Sequence, residues 1–155
     1  MPNTLQILIK QFNYEGGFVL KLEQLGRHIL VEFYNCDCDI LGDHEVIEEY
    51  MCEAARISNA TIVTSCFHKF NPWGVSGAVI IQESHLTIHT WPEYGYASVD
   101  LFTCGDSVNP WVGFNYLEKM LKSERSESTE IARGMIEKIK NFSHKKLDNI
   151  THKPM

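Results

Sequence analysis

The sequence predicts a single α+β domain, and three observations support that prediction. First, short segments in which apolar and polar residues alternate recur between turn-forming residues, a pattern typical of β-strands. Second, two longer segments carry apolar residues at helical spacing behind a capping residue. Third, neither a repeat nor a linker divides the 155 residues, a length that one hydrophobic core can fill.

The predicted strands begin with a β-hairpin within residues 1–25, folded around the turn-forming residues 13–17. A further strand covers residues 27–34 and ends in a polar loop at 35–39. Four more strands are expected over residues 61–67, 78–81, 86–91 and 96–102. Segment Ser128–Ile136 predicts a last strand that runs into a short helix.

Two helices are predicted, one before and one after the four central strands along the chain. The first runs from about Asp43 to Ser58, because Asp43 can cap it and acidic residues in its first turns suit the positive end of the helix dipole. The acidic cluster at 37–53 is therefore interpreted as a helix start and not as a calcium loop. The second helix begins at Asn109-Pro110, since proline suits the first helical position. Residues 145–155 contain few apolar side chains and are expected to form a flexible tail.

Composition and charge exclude several classes of protein. The 14 basic and 20 acidic side chains give a formal net charge of −6, which argues against a nucleic-acid binder that relies on phosphate contacts. No apolar run approaches the 18 or so residues of a membrane span, so no membrane partner is expected. The five cysteines are an odd number and no secretory leader is evident, which predicts a cytoplasmic protein with free thiols.

Reactive residue types are densest between His68 and Asp106. His85 and His89 stand four apart, a zinc-binding spacing on a helix, but the residues between them alternate like a strand and no third ligand is evident. Cys104 with His89 as its base is a second candidate, a nucleophilic pair, although a strand-end cysteine more often packs inertly. Residue types alone leave a metal-dependent hydrolase, a thiol enzyme and a structural role open.

Residue order carries more information than residue type. The chain contains the runs FHKFNPWGVSG at 67–77, ESHLTIHTWPEYGY at 83–96 and DLFTCGD at 100–106, preceded by GRHILVE at 26–32. Together these runs closely resemble the prokaryotic S-adenosylmethionine decarboxylase proenzymes, and the resemblance spans about residues 26–121. The 83–96 run is too long and too unusual in composition to arise by chance.

The resemblance implies a chemistry that meets a physical need. Loss of CO2 from an α-amino acid leaves a carbanion that requires a conjugated electron sink, and no side chain provides one. The family makes the sink from its own backbone: Ser84 attacks the Glu83 carbonyl, the chain splits, and Ser84 becomes a pyruvoyl group that forms a Schiff base with the substrate. The products would be a β chain of residues 1–83 and an α chain of 84–155. Neither pyridoxal phosphate nor a metal is required.

The resemblance also assigns roles to residues around Ser84. His89 matches the base that removes the Ser84 Cα proton, and Ser76 matches a processing residue whose hydroxyl can hydrogen-bond the oxyanion of the acyl shift. Cys104 matches the proton donor of turnover. A thiol suits that role because it is mostly protonated at neutral pH and still acidic enough to donate.

Substrate recognition follows from the same resemblance. Phe70 matches an adenine-stacking aromatic residue, and Glu93 matches a carboxylate that accepts hydrogen bonds from the ribose hydroxyls. Aromatic faces, of Phe70 or of Trp73 and Trp91, can also stabilise the sulfonium cation. His85 and His68 are expected to be structural or to line the site. The alternative, purely structural roles are core packing for Phe70, a turn carboxylate for Glu93 and sheet packing for Trp91.

The implied architecture is an antiparallel sheet with helices on one face. Two protomers would pair sheet to sheet as a four-layer αββα homodimer with the active sites at the interface. The expected organisation is one domain over 1–155, with an extra hairpin at 1–25, the family core at 26–125 and the tail at 145–155. The chain departs from the family in the residues ahead of Gly26 and in Trp73, where a polar residue is expected.

The departures keep two other functions open. One is a pyruvoyl-dependent ornithine or arginine decarboxylase on the same scaffold, and the other is an unprocessed, non-catalytic paralogue. The implied main function is the conversion of S-adenosylmethionine to its decarboxylated form, the aminopropyl donor for spermidine synthesis.

Overall fold

A computed structural model describes residues 11–12, 18–19 and 24–142 of the chain. Contacts divide the chain into two compact units, one of residues 1–25 with 134–155 and one of residues 26–133. In the first unit, strand β1 (Gln11–Phe12) pairs antiparallel with strand β2 (Phe18–Val19). The rest of the expected hairpin and the tail at 145–155 lie outside the described residues, and the single-domain organisation stays a prediction.

A six-stranded sheet carries the rest of the fold. Its strands are β3 (Gln24–Tyr34), β4 (Ile62–Lys69), β5 (Val75–Ile81), β6 (Ser84–Trp91), β7 (Tyr96–Cys104) and β8 (Arg125–Met135). They lie in the order β4-β5-β6-β7-β3-β8, and the pairs from β4 through β3 are antiparallel. The strands predicted within residues 27–136 are confirmed, and β3, β5 and β8 each start three residues earlier than expected.

Helices α1 (Cys38–Gly42), α2 (His44–Ile57) and α3 (Pro110–Met120) follow strands β3 and β7. The Asp43 carboxylate caps α2 by accepting from the N–H groups of Glu45 and Val46. Asn109 caps α3, with Pro110 at its first turn, so both predicted helix starts are confirmed. The predicted loop at 35–39 is partly wrong, because the Asp37 side chain accepts from Asp39 N and Ile40 N and starts α1.

The helices cover one face of the sheet, as the burial pattern shows. On β7, Ala97, Val99 and Leu101 are buried, whereas the residues between them are partly exposed. The buried side chains of α2 belong to the same core cluster as those of the strands. Each fully buried aliphatic side chain contributes about 1.5–3 kcal/mol of transfer free energy. The α+β fold with helices on one face is confirmed, and the other face of the sheet, called the open face below, carries no helix among residues 26–133.

Two connections position the site described next. A two-residue turn, Gln82-Glu83, joins β5 to β6, so that Ile81 pairs with Ser84 across it. A five-residue loop, 70–74, joins β4 to β5 at the opposite end of the sheet. A short 3-10 helix, Pro92–Tyr94, follows β6 at that same end. Among the described residues, no helix is long and apolar enough to cross a membrane.

Candidate active site

Ser84 begins β6 in a backbone conformation that serine rarely adopts. Its φ is 141°, a region in which side chains other than glycine are strained at a cost of about 1–3 kcal/mol. The hairpin turn imposes this conformation, because Ser84 must pair with both Ile81 and Thr103 directly after a two-residue turn. The strain therefore lies in the backbone of Ser84, directly after the Glu83–Ser84 peptide bond.

Cys104 contacts both reacting groups of that peptide bond. Its sulfur lies 3.3 Å from the Ser84 hydroxyl oxygen. Its backbone N–H donates a 2.8 Å hydrogen bond to the Glu83 carbonyl oxygen. A donor at that oxygen polarises the carbonyl and stabilises the negative charge that develops when a nucleophile adds to its carbon. The Ser84 hydroxyl, the Cys104 thiol and the Glu83 carbonyl form the first of two clusters, the serine cluster.

The Glu83 side chain fixes the turn against the edge strand. One carboxylate oxygen accepts a 3.1 Å hydrogen bond from the Thr61 N–H, and the Gln82 N–H donates to the Thr61 carbonyl at 2.9 Å. These two bonds tie the turn to the residue that precedes β4. The carbonyl of Glu83 is thus held in place from both sides, by Thr61 through the side chain and by Cys104 through the backbone.

A second cluster, the histidine cluster, lies at the other end of β6. Ser76 and His89 are directly paired neighbours on β5 and β6. The Ser76 hydroxyl lies 2.7 Å from His89 Nδ1, which orients the imidazole and leaves Nε2 free to exchange a proton. The His89 ring stands 6.2 Å from that of Trp91 on the same strand face.

The two clusters do not meet within one chain. His89 lies five positions after Ser84 along an extended strand, a distance of about 16 Å at 3.3 Å per residue. Direct proton transfer requires heavy atoms within about 3 Å. His89 therefore lies too far from Ser84 of its own chain to act on it, although the structure does bring Ser84 to Cys104 and His89 to Ser76.

Phe70 and Glu93 lie at the end of the sheet that carries the histidine cluster. Phe70 is 47 % exposed and its ring packs 4.8 Å from that of His68. Glu93 is exposed in the 3-10 helix and lines a cavity of about 650 Å³. The other residues that line this cavity are Cys38, Asp39, Gly42, Asp43, Lys69, Pro72, Trp73, Gly74 and Pro92. Both predicted substrate contacts are thus available to a ligand at one end of the sheet.

The loop that carries Phe70 is held tightly. The Phe70 N–H donates to the Gly74 carbonyl at 2.9 Å, which closes the loop on itself. Gly74 has φ +94°, and a Cβ there would lie 2.6 Å from the Thr90 carbonyl oxygen. The buried Thr90 hydroxyl accepts from Val75 N and donates to Leu41 O, each at 2.8 Å. Thr90 therefore fixes the end of this loop to the strand that carries His89.

His85 and His28 belong to a polar group on the open face beside β7. His28 lies 5.2 Å from Phe102 and 6.3 Å from His85, measured between ring centroids. The Arg133 guanidinium approaches His28 Nδ1 at 3.0 Å, and His28 Nε2 lies 3.7 Å from Asp100. Burial is the main cause that lowers the pKa of His28 below 6.5, and Arg133 and His85 lower it further while Asp100 opposes them. His28 is therefore mostly neutral at pH 7.

Sequence reasoning missed features that depend on the backbone. No residue pattern indicates that the Cys104 N–H points at the Glu83 carbonyl or that Ser84 has a positive φ. Thr90 lies inside the quoted motif, and its place after Leu86 and Ile88 at every second position, on the apolar face of the strand, was the available signal. Among the described residues, no three histidine, cysteine or acidic side chains are grouped as metal ligands would be.

The fold and this arrangement define a class of protein. A solved structure with the same fold, the adenosylmethionine decarboxylase from Aquifex aeolicus VF5, matches with a TM-score of 0.69 and 36 % identity. The match covers 73 % of this chain and 93 % of that one. The chain is thus similar in both sequence and fold to a decarboxylase of known structure.

Sequence comparison defines the family. The family model of S-adenosylmethionine decarboxylase matches residues 27–134. The S-adenosylmethionine decarboxylase proenzyme of Thermosipho melanesiensis is 58 % identical over 127 residues, which cover 80 % of this chain and 98 % of the relative. The proenzyme of Caldanaerobacter subterraneus subsp. tengcongensis is 60 % identical over 117 residues, 76 % of this chain and 94 % of the relative. The chain belongs to the S-adenosylmethionine decarboxylase family.

Proposed function

We propose that this chain cleaves itself between Glu83 and Ser84 and then decarboxylates S-adenosylmethionine with a pyruvoyl group derived from Ser84. The observation that carries the proposal is the serine cluster: a strained serine whose hydroxyl lies 3.3 Å from a thiol, next to a carbonyl that accepts the Cys104 N–H. Family membership and the names of the relatives support the choice of substrate.

The self-cleavage begins with an acyl shift. The Ser84 oxygen bonds to the Glu83 carbonyl carbon, the C–N bond breaks, and the hydroxyl proton passes to the departing nitrogen, giving an ester and a free amine. The Cys104 N–H stabilises the oxyanion of this step. Breaking the peptide bond also releases the strain at Ser84, which favours the shift.

The second step is an elimination. A base removes the Ser84 Cα proton, the Cβ–O bond breaks, and Glu83 leaves as a carboxylate at the end of the β chain. The remaining enamine rearranges, and water replaces its nitrogen with release of ammonia, which leaves the ketone. His89 is the proposed base, and the Ser76 hydroxyl orients its imidazole.

The separation of about 16 Å between the clusters supports a homodimer in which His89 of one protomer serves Ser84 of the other. A two-fold axis that lies between two stacked open faces, parallel to them and perpendicular to β6, runs β6 of one protomer antiparallel to β6 of its partner. The serine end of one strand then meets the histidine end of the other. The open face suits such packing, since Trp91, Tyr96 and Tyr34 form an aromatic row across it with centroids 5.2 and 5.7 Å apart.

In turnover, the pyruvoyl ketone supplies the electron sink conjugated to the substrate amine. The Cys104 thiol, which lies beside Ser84 before cleavage, is placed to return a proton to the substrate Cα after CO2 leaves. Phe70 offers an exposed ring for the adenine, and the Glu93 carboxylate accepts hydrogen bonds from the ribose. The product would be the aminopropyl donor for spermidine synthesis. Five free cysteines support a cytoplasmic location.

Release of CO2 from S-adenosylmethionine, ornithine and arginine tests the substrate. Purified protein should release CO2 from S-adenosylmethionine alone, and turnover of only a basic amino acid would refute the assignment. The Ser84→Ala variant is the matched control, because it keeps the fold and removes the residue that becomes the ketone. Its activity should fall to background.

A further inference from the structure

We propose that Trp73 is a specificity-determining residue that packs against the nucleoside of the substrate, an inference that rests on the proposed function. Trp73 is 62 % exposed, an unusual exposure for the largest side chain. Tryptophan is enriched at binding interfaces, because its ring is largely apolar and carries one polar N–H group.

The cavity places Trp73 and Glu93 on the walls of the same space. Both side chains line the 650 Å³ cavity, together with Lys69 at its rim. That volume lies within the range of small-molecule sites, which are typically apolar with a few polar groups that fix orientation. If Glu93 holds the ribose hydroxyls, the indole of Trp73 lies within reach of the sugar and the attached base.

The loop is rigid enough for a binding contact. Trp73 lies within the loop that the hydrogen bond from the Phe70 N–H to the Gly74 carbonyl closes. Gly74, the next residue, packs closely against the Thr90 carbonyl. A loop whose backbone is already fixed loses less conformational entropy when a ligand binds. The same loop therefore presents two aromatic rings, Phe70 and Trp73, on either side of a short, fixed turn.

The position predicts an effect on binding and not on chemistry. Among the described residues, those that line the cavity include none of Ser76, Ser84, His89 and Cys104, so Trp73 lies apart from the residues of both clusters. Loss of the indole should raise KM and leave kcat and self-cleavage unchanged. Loss of an aromatic stack on a base costs about 5- to 150-fold in affinity, and for a partly exposed ring we expect KM to rise about tenfold.

The test uses Trp73→Ala and Trp73→Phe, with Tyr94→Ala as a matched control. Tyr94 is 75 % exposed beside Glu93 but does not line the cavity. KM should rise about tenfold in Trp73→Ala, recover in Trp73→Phe and stay unchanged in Tyr94→Ala. Intact mass should show the same self-cleavage in all three. An unchanged KM in Trp73→Ala, or a fall in kcat at constant KM, would overturn the inference.

A binding measurement separates this inference from the proposed function. Calorimetry with the uncleaved Ser84→Ala protein measures the Kd of S-adenosylmethionine and of S-adenosylhomocysteine, which has the same nucleoside but no sulfonium charge. Adding Trp73→Ala should weaken both ligands by the same factor. Weakening confined to the sulfonium compound would refute the nucleoside contact. If Ser84→Ala itself bound neither ligand, the substrate assignment would fail first.

Discussion

Mixed dimers test whether one protomer's His89 acts on the other protomer's Ser84. The perturbation is co-expression of two differently tagged variants, His89→Ala and Ser84→Ala, neither of which should cleave alone. In a mixed dimer, the His89→Ala chain contributes an intact Ser84 and the Ser84→Ala chain contributes an intact His89. One of the two sites in each mixed dimer is then complete, and the other lacks both residues.

The magnitude follows from the geometry. Because His89 lies about 16 Å along the strand from Ser84 of its own chain, cleavage should depend only on the partner's histidine. Random assortment places about half of the His89→Ala chains in mixed dimers, so about half of these chains should be cleaved. The Ser84→Ala chains should remain whole.

Intact mass spectrometry of each tagged chain provides the assay. The matched control pairs His89→Ala with the double variant Ser84→Ala/His89→Ala, which restores no complete site and should give no cleavage. Absence of cleavage in the first mixture, at a confirmed content of mixed dimers, would refute the reasoning. Cleavage of His89→Ala alone would refute the role of His89 as the base.

Three further predictions concern single residues. Cys104→Ala should lower kcat by about 10²–10⁴ while melting temperature changes little, because it removes a proton donor and keeps the backbone N–H; an unchanged kcat would contradict this role. Thr90→Val should lower the free energy of unfolding by about 1–3 kcal/mol in urea titrations, because the buried Val75 N–H and Leu41 carbonyl lose their hydrogen-bond partner. A variant as stable as wild type would contradict this role. His28 has a pKa lowered from 6.5, so the unfolded chain binds its proton more readily and stability falls as pH drops through 6.5 towards the folded pKa. His28→Gln should flatten that fall between pH 6.5 and 5, and parallel curves for variant and wild type would contradict the shift.

The sequence predicted those elements whose signals are local. The capping carboxylate of Asp43 and the proline at 110 fixed the starts of two helices, because caps act on the next three residues. Alternation in β6 and β7 predicted the strands and their buried faces. The short helix α1 was missed, since five residues stabilised by the Asp37 cap carry too little periodicity to be distinguished from a loop.

The sequence was enough to predict which residues form the site, but not how they are arranged in space. The motif runs indicated Ser84, His89 and Cys104, whereas their separation into two clusters depends on strand register. Register also brings the Cys104 N–H to the Glu83 carbonyl at 2.8 Å, a contact between backbone groups that leaves no trace in residue identity. The strain at Ser84 arises from the two-residue turn before it, and a serine at this position does not indicate a positive φ.

Intact mass of the purified, incubated protein tests the self-cleavage most directly. We expect two fragments, residues 1–83 with a free carboxylate at Glu83, and residues 84–155 lighter by one ammonia than a fragment that begins with an unmodified serine. The second fragment should resist Edman sequencing and react with a carbonyl reagent such as a hydrazine. A single chain of uncleaved mass, or a fragment that begins with an unmodified Ser84, would contradict the account.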